Sequence, residues 1–130
     1  MQISDEEFER LIASAMDELP PHYAQNMNNV AITWADEPSQ EQREKLRLRG
    51  SETLFGLYEG IPLTRRGAGY NFVLPDKITL FKNPLIAHVF SFDQLKAQVK
   101  HTLWHELAHH FGLEHKHIYD AEERHRNKNK

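Results

Sequence analysis

Cysteine is absent from this chain, which excludes disulfides and thiolate metal sites. A cysteine-free composition suits a reducing compartment, and a cytoplasmic location is expected. No apolar run is long enough to cross a bilayer. The opening residues MQISDEEFER are acidic where a secretory signal would be basic, so no export signal is expected. An excess of one charge is lacking too. The formal net charge of −3 gives no general attraction to nucleic acid or to a membrane surface. No methionine follows Met27, and no internal repeat is visible. At 130 residues the expectation is one domain spanning 1–130, with a single modest core. Residues from about 121 onward read as a charged, frayed tail. A monomer is expected.

Histidine, by contrast, is plentiful. Residues 105–115 read HELAHHFGLEH, which contains HExxH extended to HExxHxxGxxH. His105 and His109 stand at i and i+4, so on an α-helix both imidazoles leave one face about 6 Å apart along the axis. Two neutral imidazoles so placed can hold one Zn²⁺. Glu106 leaves the helix about 100° from His105 and can reach a water beside the metal without becoming a ligand. An electrophile, a water and a nearby base are what metal-assisted hydrolysis needs. Chance alone gives HExxH in roughly one of twenty shuffled chains of this composition, whereas adding Gly112 and His115 lowers that to about two in ten thousand. The extended pattern is therefore the informative one. His105, His109 and His115 are the expected ligands of one zinc ion, and Glu106 is the expected general base. His117 is an alternative to His115.

The surroundings predict a helix under the motif. Ser91 with Gln94 reads as a capping box. Leu95, Val99, Leu103, Leu107 and Phe111, with Ala108, recur at helical spacing. Gly112 then suits the left-handed position that ends a helix. His115 would lie beyond that turn. His101 falls one turn before His105 and is expected to pack or to sit behind the ligands. His110 is off the ligand face, and a structural role is favoured for it.

Upstream, Ser4 with Glu7 is another capping box, followed by Phe8, Leu11, Ile12, Ala15, Met16 and Leu19 at helical intervals, with Pro20-Pro21 expected to stop the helix. Residues 29–34, 53–58 and 77–81 have strand composition. Residues 39–49 suit a short exposed helix ending at Gly50, and 85–90 read as a connection. Residues 65–70, RRGAGY, lack the full G-x-G-x-x-G of a phosphate loop. This order predicts an α+β fold, a small sheet packed on helices with the HExxH helix near the C-terminal end. Lys77–Phe81 and Leu54–Tyr58 are both candidates to align a peptide by strand addition. Tyr58, Tyr70, His117 and Tyr119 are candidate oxyanion donors. Asp76, Glu59 and Glu114 are candidates to orient ligand histidines.

Beyond the motif, Asn29-Val30, residues 54–63 (LFGLYEGIPL), residues 74–80 (LPDKITL) and residues 98–103 (QVKHTL) occur in order before His105. With the motif and the N-terminal helix, they make the chain resemble the small bacterial zincin-like metallopeptidases. That resemblance implies a compact zincin-type α+β fold, with His105 and His109 as metal ligands and Glu106 as base. The family pattern often ends in aspartate at the position of His115. His115 is instead similar to the third ligand of metzincins, but the methionine turn of that group is absent. The activity implied is zinc-dependent hydrolysis of a peptide or protein substrate. A non-catalytic metal-binding interaction module and a zinc-dependent amidase are the alternatives.

Overall fold

Residues 1–27, 29–50, 52–61 and 75–112 are described in a computed structural model of the chain. Helix α1 spans Asp5–Asp17 and starts as expected, because Ser4 and Glu7 cap each other reciprocally. Its Phe8, Leu11, Ile12 and Ala15 are buried. The prolines do not end it. Glu18 caps the helix first, and Pro21 opens a short second helix, α2 (Pro21–Gln25). Proline suits that position, since the first helical N–H needs no partner within the helix.

Strand β1 (Val30–Ala35) follows, then α3 (Gln40–Lys45), whose Ser39 and Gln42 form a capping box that the sequence reading did not identify. This helix stops short of Gly50. Leu46 caps it, and Arg47 takes a left-handed backbone at φ 57°. Among the described residues, strands β2 (Gly56–Glu59) and β3 (Asp76–Phe81) join β1 in a sheet of order β1-β3-β2. β3 runs parallel to β1 (Ile32 opposite Ile78) and antiparallel to β2 (Tyr58 opposite Ile78). Phe81 N–H donates to the Phe55 carbonyl (2.9 Å), carrying the pairing one residue beyond β2. Because β3 is paired on both sides, Lys77–Phe81 has no edge to offer. That overturns its candidacy as a peptide-aligning strand.

The expected connection after β3 is instead a helix, α4 (Lys82–His88). Pro84 lies in its first turn, where it costs no helical hydrogen bond. Helix α5 (Phe92–Phe111) carries the motif. The Ser91 hydroxyl accepts from Gln94 N–H (3.1 Å), but the Gln94 side chain reaches back to Phe90 N–H (2.7 Å) rather than to Ser91. The box is thus displaced by one residue. Gly112 ends the helix at φ 72°, ψ 23°, as its position after Phe111 predicts.

α5 packs against α1 and against β2 and β3, and α1 itself meets β1, where the Phe8 and Trp34 rings lie 5.5 Å apart edge to face. Leu95, Val99, Leu103, Leu107, Ala108 and Phe111 join Phe8, Leu11, Ile78 and Leu80 in one apolar cluster. Trp104 is fully buried and donates its indole N–H to the Ala15 carbonyl (3.0 Å). The fold is α+β, as the order of elements implied. No helix among the described residues is long and apolar enough to cross a membrane.

Candidate active site

The helical repeat sorts the middle of α5 into parallel rows. His101, His105 and His109 recur every four residues and are all half-buried. Gln98, Thr102, Glu106 and His110 form the neighbouring row, in which the last three are buried. A helix places residues four apart almost above one another, so each row keeps to its own side.

In the first row, the rings of His105 and His109 are 5.1 Å apart between centroids and inclined by 67°. His101 is 6.5 Å from His105 by the same measure. His105 and His109 therefore share one face, as their spacing predicted. Two imidazoles with polarisable nitrogens in this proximity suit a borderline-soft divalent cation such as zinc. Among the described residues, no group of three or more His, Asp or Glu side chains gathers at one point. His115, the expected third ligand, lies outside the described residues, as do His117, Tyr119, Tyr70 and Glu114.

Glu106 lies beside the pair. One of its carboxylate oxygens is 3.4 Å from His109 Nδ1. That hydrogen bond and the negative charge hold the imidazolium of His109 above the usual histidine range, with partial burial opposing the effect. Glu106 is only 8% exposed. It borders an open groove of about 410 Å³ walled by Thr53–Gly56 on one side and by Gln98, His101, Thr102 and His105 on the other.

Gly56 explains how strand and helix come so close. A Cβ on this residue would stand 2.8 Å from Thr102 Cγ2 and 3.3 Å from Glu106 Cγ. Any side chain would push β2 away from the carboxylate. The need for glycine at position 56 is a tertiary one, and only its place between strand-forming neighbours hinted at it.

The second row ends in a buried polar cluster. His110 is fully buried, and its Nδ1 lies 2.9 Å from Asp76 Oδ2. The Tyr58 hydroxyl donates to that same oxygen (2.6 Å), and Ile61 N–H donates to Oδ1 (3.3 Å). Asp76 therefore orients His110, the neighbour of the expected ligand His109. Tyr58, one of the four candidate oxyanion donors, spends its hydroxyl proton on Asp76, which counts against that role. Glu59 accepts from the Gln42 amide (3.3 Å). His22 and His88 are exposed, with His22 edge to face against Tyr23 and His88 tilted against Phe55.

No curated protein matches the chain. The family model described as a zincin-like metallopeptidase matches residues 27–125, a span that contains the sheet, α5 and the whole HExxH motif. With the paired histidines and the adjoining carboxylate on one helix, that match shows that the chain belongs to the zincin-like metallopeptidases.

Proposed function

We propose that this chain is a zinc-dependent peptidase, folded as one domain and active as a monomer. In this reading His105, His109 and His115 hold one Zn²⁺, and Glu106 is the general base. The observation that carries it is the Glu106 carboxylate beside His109 and lining, together with His105, a groove open to a ligand. A zinc site with three protein ligands retains an open position, which is the catalytic kind. When bound, the ion supplies Lewis acidity that favours deprotonation of a water and polarises a carbonyl.

The remaining work falls to the chain itself. Glu106 takes the proton of the attacking water and returns it to the leaving amine. Its burial keeps the carboxylate fixed and close to the reacting atoms. In this reading β2, which packs against α5, aligns an extended peptide backbone beside the site. Of the two candidate strands, Leu54–Tyr58 is thus retained. A cytoplasmic setting belongs to the same proposal, in keeping with a composition free of cysteine.

The test uses the purified chain and its Glu106→Gln variant. Bound metal is quantified, and both proteins are assayed on a mixed peptide library supplemented with small non-peptide amides. The proposal expects peptide cleavage by the wild type alone. Metal retained by both, with no cleavage dependent on Glu106, would make the domain a binding module. Cleavage confined to the small amides would make it an amidase.

A further inference from the structure

A buried carboxylate needs partners, because an ionised oxygen removed from water loses several kcal/mol of hydration unless donors replace it. Asp76 is 3% exposed at the start of β3, and its donors come from three other places in the chain. His110 belongs to the last turn of α5, Tyr58 to β2, and Ile61 to the segment after it. Gly60 is shaped to the same contact. Its φ is 158°, and a Cβ there would overlap the Asp76 carboxylate. The carboxylate only accepts, so the Nδ1 of His110 carries the proton in this hydrogen bond.

His110 is adjacent to His109 and two residues before the left-handed Gly112. Tyr58 is two residues after Gly56, where an added Cβ would meet Thr102 and Glu106. The Tyr58 ring also meets both His109 (6.3 Å between centroids) and His110 (6.1 Å) edge to face. A side chain fixed at position 110 fixes the rotation of the helix turn that carries position 109. A side chain fixed at position 58 fixes the height of β2 along that turn.

We propose that Asp76, His110 and Tyr58 form a positioning unit that sets His109 for metal binding and locks β2 in register beside it. The inference rests on the zinc reading above, but it does not require hydrolysis. None of the three is among the proposed metal ligands. They act through His109 and the end of α5. Groups that orient metal ligands from behind typically change affinity by about 10–100-fold when removed.

The experiment measures zinc affinity by competition with a chelator, using the wild type and His110→Leu, His110→Asn and Tyr58→Phe. Each protein is also melted in the metal-free state and, after loading with Co²⁺, examined by visible absorption. His110→Leu is expected to lower zinc affinity by about tenfold or more. His110→Asn keeps an N–H where Nδ1 stands and should recover affinity to within about threefold of the wild type. Tyr58→Phe removes only the hydroxyl and should cost about threefold, with altered Co²⁺ bands.

A folded His110→Leu protein with wild-type affinity and an unchanged Co²⁺ spectrum would overturn the proposal. If that variant fails to fold, unchanged affinity and spectrum in Tyr58→Phe would overturn it alone. A wild type that binds neither ion defeats both this inference and the proposed function. A wild type that binds zinc without cleaving peptides defeats only the function, and the affinity series still decides the positioning unit.

Discussion

The two sides of α5 are built on different principles. Toward α1 the helix buries apolar surface, with Trp104 anchored on the Ala15 carbonyl and Leu95, Val99 and Leu103 in the shared cluster. Toward β2 it buries polar groups, namely Thr102, Glu106 and His110. Apolar contacts are non-directional and tolerate small shifts. Buried polar groups demand specific partners, and each unmet demand costs about 1–3 kcal/mol. One side therefore stabilises the helix, and the other fixes where its chemistry-bearing groups stand. Lys100 belongs to the stabilising side, pairing with Glu18 (3.3 Å) and lying over the Trp104 ring (4.7 Å).

The largest effect should come from the polar side. Glu106→Gln should reduce peptide cleavage by about 10²–10⁴-fold while leaving the melting temperature and metal content close to wild type. Steady-state kinetics and thermal melts on the same sample check it. If cleavage persists, the base lies elsewhere.

The apolar side should respond in the opposite manner. Trp104→Ala removes a fully buried ring and should cost about 3–5 kcal/mol in denaturant unfolding. Zinc affinity of the fraction that remains folded should be unchanged. Loss of affinity in that fraction would mean that the two sides are coupled more tightly than the comparison implies.

Gly56→Ala tests the boundary between them. The added methyl meets Thr102, Leu80 and Glu106 together, so about 1–3 kcal/mol of destabilisation is expected, with weaker peptide binding. Equal binding in a less stable protein would show that the strand-to-helix spacing serves packing alone.

The smallest effect is a pH dependence in the metal-free chain. The folded His109 pKa is raised, chiefly by its hydrogen bond to Glu106. Its pairing therefore adds stability in full below the ordinary histidine value of 6.5 and loses it as pH rises through the raised value. An NMR titration of the His109 ring should show an upward shift that disappears in Glu106→Gln. An unshifted ring in the wild type would contradict it.

Local patterns were readable because helices repeat locally. The capping serine at 91, the stripe from Leu95 to Phe111 and the stop at Gly112 all follow from spacing within twenty-odd residues. So does the pairing of His105 with His109. Proline is ambiguous when read from sequence alone. Pro21 and Pro84 open helices as readily as prolines end them, and which occurs depends on what the following turn packs against. His110 could be assigned away from the ligand face but not given a partner, since Asp76 lies 34 residues away.

The amino-acid sequence by itself determined the α+β class, the helix under HExxH and the shared face of its two histidines, because each depends on helical geometry within a few turns. Only the tertiary structure decided that β3 is paired on both sides, that Gly56 lets β2 lie close to Glu106, and that Asp76 gathers His110 and Tyr58. Strand order and buried polar pairing join residues far apart in the chain, and no local periodicity encodes which distant groups will meet.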